Sequence, residues 1–220
     1  GETISLGIGQ GYNTFTPLQM AHATAILANN GVVMKPHLVK ALEQAGSHER
    51  VLTVPKESYR IPLKPENIEI IKQAMVGVVK QGTSAKVFAK AEYESAGKTG
   101  TAQVVSIKQN EKYNAKTIAA HLRDNALYIA FAPVDKPRIA IAIVVENGGF
   151  GAEAAAPIVR KALDYYLLGK RPLDKDGEPV PVPGQPKEDT AALRSKAEVK
   201  AEDESVGGPK PGDETEGNKD

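Results

Sequence analysis

The sequence predicts an α+β fold, an antiparallel sheet with helices on both faces, and two observations carry that prediction. Three strand-like segments follow one another between Ser95 and Glu146. The last two are separated only by Pro133-Val134-Asp135-Lys136-Pro137, which is too short for a parallel crossover and makes them a hairpin. The final segment, Ile139-Ala140-Ile141-Ala142-Ile143-Val144-Val145, is apolar at both alternating sets of positions. A strand that is apolar on both sides needs a layer against each side, so helices are expected above and below it.

The elements follow in chain order. Gly7-Ile8-Gly9-Gln10-Gly11 reads as a flexible loop. Thr16 suits an N-cap, Pro17 the first helical position, and Gln19 completes a capping box. The helix they open carries Leu18, Ala21, Ala25, Ile26 and Leu27 as its predicted buried face and ends at Gly31. Val32–Met34 is a short extended piece, and residues 38–61 read as strands and turns. A second helix opens at Pro65 and ends at Gly82, with Ile68, Ile71, Met75, Val78 and Val79 as one apolar stripe. A loop or short helix leads to a strand over Ser95–Ile107, favoured by Val104, Val105 and Ile107. Residues 108–123 form a polar loop. The hairpin strands are Ala126–Ala132 and Arg138–Glu146, and Asn147-Gly148-Gly149 turns the chain. A last helix runs from Glu153 to Leu168 on Ile158, Val159, Ala162, Leu163 and Leu167, with Pro157 tolerated near its first turn.

Composition changes near Gly169. No aromatic residue follows Tyr166, Pro179–Gly184 reads as an extended linker, and the remainder is Ala, Lys, Glu, Asp and Gly with little apolar content. Such a segment cannot bury enough surface to offset its ordering entropy. Residues 1–171 are therefore read as one folded region and 172–220 as a disordered tail, in which Thr190–Lys200 has some helical character.

With 41% hydrophobic and 25% charged residues the composition is that of a soluble globular protein. A net charge of +1 gives no electrostatic case for nucleic acid or for an acidic membrane surface. There are no cysteines, which excludes disulfides and thiolate metal sites. His22, His37, His48 and His121 are scattered without ligand spacing, so neither a metal nor a cofactor is expected. No apolar run reaches membrane-spanning length and no signal peptide is visible; the opening reads as a cut into a longer pattern.

Gly97-Lys98-Thr99-Gly100-Thr101 is the most informative stretch. As a phosphate loop it fails twice. Glu92 stands where the leading glycine belongs, and the residues after Thr101 have a strand pattern where a phosphate loop must open a helix. Ser95-Ala96-Gly97-Lys98 matches the form of a Ser-x-x-Lys nucleophile, but that pair works on one face of a helix; in a strand, residues three apart face opposite ways. Ser95 is therefore read as structural. A third reading is the Lys-Thr-Gly triad that binds a substrate carboxylate, and on those three letters alone an ordinary strand is the better reading. Thr99 and Thr101 share a face and offer hydroxyls, Lys98 supplies positive charge, and Gly100 lets a peptide approach. His121–Asp124 is a candidate for the rim of the site. Glu146 and Asn147 read as turn residues, and Tyr165-Tyr166 as helix packing.

Several segments together resemble the class B penicillin-binding proteins, in particular the branch serving rod elongation. They are Gly7–Gly11 with Tyr12, Thr16–Ala21, Met75–Val79 with Gly82-Thr83, Ala96–Gln103, Ala130–Pro133 and Glu146–Gly149. The resemblance covers residues 1–171 nearly throughout. It implies the penicillin-binding transpeptidase and serine β-lactamase-like fold, with a five-stranded antiparallel sheet. It implies a D,D-transpeptidase that cross-links peptidoglycan stem peptides through a serine acyl-enzyme, is acylated by β-lactams and serves wall elongation and cell shape. It further implies that Lys98, Thr99, Gly100 and Thr101 bind substrate, and that the Thr101 backbone N–H contributes to the oxyanion hole. Implied partners are elongation-complex membrane proteins, including a polymerising glycosyltransferase. The implied location is the periplasmic face of the bacterial inner membrane, with membrane contact only through an N-terminal anchor that is not in this sequence. The sequence departs from the family pattern by lacking Ser-x-Asn and any plausible helical Ser-x-x-Lys, so the chain alone is expected to be inactive. The alternatives are a β-lactamase or β-lactam sensor on the same fold, and a non-catalytic interaction module.

Overall fold

A computed structural model of the 220-residue chain describes residues 2–7, 9–11, 13–105 and 118–181. Contacts divide the chain into two units, Gly1–Arg171 and Pro172–Asp220. The first unit opens with helix α1 (Glu2–Gly7) and the glycine loop, followed by helix α2 (Pro17–Ala28). The predicted capping box is formed: Thr16 Oγ1 accepts from Gln19 N at 3.2 Å, and Gln19 Oε1 accepts from Thr16 N at 2.8 Å. Of the expected buried face, Ala21, Ala25, Ile26 and Leu27 are half-buried and Leu18 is exposed, while Thr24 and Ala28 are the fully buried positions. Thr24 is accommodated because its hydroxyl donates to Met20 O at 2.7 Å, which leaves the methyl group to pack.

Residues 32–60 form two antiparallel ribbons, β1 (Val32–Met34) with β4 (Glu57–Arg60) and β2 (Ala41–Glu43) with β3 (Arg50–Leu52). Helix α3 (Pro65–Lys80) buries Ile68, Lys72, Met75, Val76 and Val79. The predicted stripe was therefore right at Ile68, Met75 and Val79 and wrong at Ile71, which faces solvent. Lys72 takes the inner position because its ammonium finds partners there: it donates to Ala28 O at 2.8 Å and to Asn30 Oδ1 at 2.7 Å. Gly82 ends the region, since a methyl group there would stand 2.7 Å from Val78 Cα.

After the one-turn helix α4 (Ala85–Phe88) come β5 (Ala96–Ala102), β6 (Asn125–Ala132) and β7 (Ile139–Val145), a three-stranded sheet in that order with both pairings antiparallel. Among the described residues the sheet thus has three strands, where the family resemblance implied five. Strand β5 is shorter than expected: it stops at Ala102, and Val104 and Val105 lie in a bend. Residues 106–117, including Ile107, lie outside the described residues. The last helix is also broken. Helix α5 (Gly151–Ala154) and helix α6 (Ala156–Leu168) meet at Ala155, so Pro157, which lacks an N–H, falls in the first turn of α6. Val159 and Leu163 are fully buried, while Ile158 is exposed.

Helices cover both faces of the sheet, as expected. On one face Ala126, Tyr128, Ala130 and Ala132 pack with Val159 and Leu163 of α6. On the other, Ala96 and Phe131 pack with Ala28, Met75 and Val76 of α2 and α3. Both layers converge on β6, the central strand, whose Tyr128 and Phe131 are fully buried. Strand β7 is only half-buried along its length because it lies at the sheet edge.

In the second unit, the described residues 172–181 form a tight turn. Leu173 pairs with Pro179, and Asp174 Oδ1 accepts from Asp176 N and Glu178 N, both at 2.9 Å. The tail expected to lack structure thus begins with an ordered Asx-type turn made by the Asp174 carboxylate. Residues 182–220, with the helical tendency of Thr190–Lys200, lie outside the described residues.

Candidate functional site

Strand β5 pairs along one edge only. Lys98 stands opposite Ile129 and Gly100 opposite Leu127, and among the described residues no strand lies on the other side. In an antiparallel pair, alternate residues turn their N–H and C=O toward the partner. Thr99 and Thr101 turn theirs away, to the open edge. Two carbonyls on that edge have side-chain partners: Thr99 O accepts from Lys98 Nζ at 2.8 Å, and Thr101 O accepts from Gln10 Nε2 at 2.6 Å. The Lys98 ammonium is thus folded over the open edge, exposed to solvent.

Thr99 and Thr101 share the face that Lys98 does not. Thr99 Oγ1 lies 3.1 Å from Thr83 Oγ1, so two hydroxyls are paired beside the strand. Gly100 has little room: a methyl group there would meet Leu127 Cβ at 3.2 Å. Across the strand, the start of α5 is seated on the Gly100–Leu127 pair. A methyl at Gly151 would come within 2.4 Å of Leu127 O and 2.6 Å of Gly100 O. The backbone of the triad is therefore pinned from below while its edge stays open. Extended backbone through Gly97–Ala102, followed by a bend at Val104 and Val105 where a phosphate loop would open a helix, disposes of the phosphate-loop reading.

The other sequence candidates lie elsewhere or serve the scaffold. Ser95 is buried, with no hydrogen-bond partner for Oγ, while Lys98 is exposed, so the two cannot act as a nucleophile and base. Glu92 is paired with Lys170. The segment His121–Asp124 anchors the end of the hairpin: Asn147 Nδ2 donates to His121 O at 3.1 Å and to Arg123 O at 2.9 Å, and Gly149 N donates to Asp124 O at 2.8 Å. Asn147 is a turn residue, with φ 55. Tyr165 and Tyr166 are exposed rather than packed, and Tyr166 stacks with Arg138. His22 Nε2 is bonded to Met34 O, and no cluster of metal-ligating side chains occurs among the described residues. A cavity of about 800 Å³ lined by Lys80, Phe88, Glu92, Tyr93, Glu94 and Ser95 includes none of Lys98–Thr101.

Two residues beside the triad had been given no role. Gln10 sits in the glycine loop expected to be flexible, and Thr83 follows the glycine that ends the second helix. The available signal for both was the company of glycines, in Gly9-Gln10-Gly11 and Gly82-Thr83, where a polar side chain is held by a fixed turn.

The penicillin-binding protein transpeptidase domain profile matches residues 1–164. The peptidoglycan D,D-transpeptidase MrdA of Haemophilus influenzae is 47% identical over 191 residues, 82% of this chain and 28% of the relative. That of Escherichia coli K12 is 43% identical over 180 residues, 81% of this chain and 28% of the relative. The chain thus spans little more than a quarter of the length of these relatives. Among solved structures, Pseudomonas aeruginosa PBP2 in complex with WCK 5153 superposes with a TM-score of 0.60 at 38% identity, over 84% of this chain and 36% of that one. The PBP2 of Helicobacter pylori, solved in complex with MreC, gives 0.57 at 28% identity over 77% of this chain and 28% of that one. With the family profile matched over residues 1–164 and relatives 43–47% identical over four fifths of its length, the chain belongs to the penicillin-binding protein transpeptidase domain family.

Proposed function

We propose that this chain supplies the substrate-binding strand of a D,D-transpeptidase that cross-links peptidoglycan stem peptides. The open edge of β5, with the Lys98 ammonium folded over it, is the observation that carries the reading. A peptide laid along that edge is bound as an added strand, through main-chain hydrogen bonds. Its terminal carboxylate takes a charge-assisted interaction from Lys98 and a hydroxyl from Thr99, whose orientation is set by Thr83. Gly100 adds no side chain to the approach. The Thr101 N–H, directed to the same edge, stabilises the oxyanion formed when a serine attacks the scissile carbonyl. That serine comes from a helical Ser-x-x-Lys outside these 220 residues, and β-lactams acylate it.

The names of the relatives support the reaction, and the resemblance to the rod-elongation branch supports a role in wall elongation and cell shape. The location that fits is the periplasmic face of the inner membrane. Partnership with elongation-complex proteins, including a polymerising glycosyltransferase, is supported by two solved complexes. One is the Helicobacter pylori PBP2–MreC structure. The other is a peptidoglycan synthase complex that coordinates polymerization and crosslinking, which gives a TM-score of 0.60 at 28% identity. The test is covalent labelling by a fluorescent penicillin of a transpeptidase in which this chain follows the upstream segment of the Haemophilus influenzae relative. Stoichiometric labelling supports the reading. Absence of labelling in a folded protein overturns it.

A further inference from the structure

Gln10 makes a second hydrogen bond at the strand edge. Its Oε1 accepts from Gln103 N at 3.3 Å, while its Nε2 donates to Thr101 O at 2.6 Å. One side-chain amide therefore pairs with the C=O of one residue and the N–H of the residue two further on. A neighbouring strand would make the same pattern with its backbone. The position matters because β5 stops pairing with β6 at Ala102. Beyond that point the sheet no longer holds the strand, and the clamp takes over where the ladder ends. The turn that delivers Gln10 is equally specific: Gly9 and Gly11 have φ 76 and φ 75, the left-handed region that favours glycine.

We infer that Gln10 is a positioning residue for the Thr101 N–H, holding the Thr101–Gln103 stretch so that this donor faces the open edge in a fixed direction. The inference rests on the reading of β5 as the substrate strand. The N–H and the clamped C=O of Thr101 belong to one residue and leave the strand on the same side. Fixing the carbonyl plane limits rotation at Thr101 and with it the line of the N–H. Oxyanion stabilisation depends on preorganised donors, so small misalignment is costly. A carbonyl oxygen has two lone pairs, so the clamp leaves one for the amide N–H of a bound peptide.

The experiment measures the second-order rate of β-lactam acylation in the completed transpeptidase described above. Gln10→Ala is expected to lower it about tenfold or more, with faster amide exchange at Gln103 but not at Leu127 or Phe131. Gln10→Glu provides the readout that a merely structural role would not move. An ionised carboxylate accepts from Gln103 N but cannot donate to Thr101 O; a protonated one does both. The ratio of Gln10→Glu to parent rate is therefore expected to rise as pH falls toward the carboxyl range, about pH 4–5. A ratio flat with pH overturns the inference, as does Gln10→Ala acylating at the parent rate while the parent itself acylates. A folded parent that does not acylate overturns the strand reading, and this inference with it.

Discussion

The ring of Tyr128 lies against Gly97 so closely that a methyl group on Gly97 would stand 2.5 Å from the Tyr128 hydroxyl. Tyr128 cannot yield, because it is fully buried, its hydroxyl is 2.8 Å from Ser84 Oγ, and its ring stacks on Phe88. Gly97→Ala is therefore expected to destabilise the fold by about 1–3 kcal/mol through overpacking. Chemical denaturation gives the measure, and an unchanged midpoint would show that Tyr128 has room to move.

In the completed transpeptidase, Lys98→Ala and Thr99→Val should each lower β-lactam acylation. Charge-assisted hydrogen bonds contribute about 1.5–3 kcal/mol, which corresponds to roughly tenfold to a few hundredfold in rate. Thr83→Val should produce a smaller loss, and in combination with Thr99→Val should add little, because the two hydroxyls act as a pair. Full additivity of the two changes would separate Thr83 from the site.

The chain by itself should form no covalent adduct with a labelled penicillin, as read by intact mass. Ser95 has the right neighbours in sequence but is only 1% exposed, and Lys98 points away from it to solvent. In the completed protein, Ser95→Ala should leave acylation near the parent rate. An adduct mapped to Ser95 would reverse the assignment.

Two buried groups give opposite alkaline responses. Burial pushes the Tyr128 phenol above its ordinary value of 10.0. Its contribution to stability is complete below that pH and is lost as pH rises through the folded value. Burial pushes the Lys72 ammonium below its ordinary 10.5. The unfolded chain binds that proton more tightly, so this penalty fades, and stability rises, as pH climbs from the lowered value to 10.5. Tyr128→Phe should flatten the loss of stability above pH 10, and Lys72→Met should remove the gain below it, both seen in urea midpoints across pH. Identical pH profiles for parent and Tyr128→Phe would contradict the first part.

Much of this architecture was legible because it is written in local chemistry. The capping box at Thr16 and Gln19, the short hairpin turn after Ala132 and the strand through Lys98-Thr99-Gly100 each depend on near neighbours. The misreadings arise where distant partners decide. Lys72 is polar yet buried because the end of another helix offers it two oxygens 42 and 44 residues away. Ile71, one position earlier, is apolar yet outside because the layer it would join lies on the other side of α3. Val104 and Val105 have strand propensity, but β6 starts at Asn125, opposite Ala102, and offers them no partner. Gln10 was invisible as a site residue because its partner lies 91 residues on.

Strand β7 ends the sheet with one row of its peptide groups facing no other strand among the described residues. Its sequence, Ile-Ala-Ile-Ala-Ile-Val-Val, contains no charge and no proline, two of the devices that discourage edge-to-edge pairing. Refolding of this chain by dilution is therefore a race between closing its own core, which is first order, and zipping to a second copy, which is second order. Yield should fall steeply with protein concentration, and a single lysine at Ala142 or Val144 should restore it more than it harms the fold.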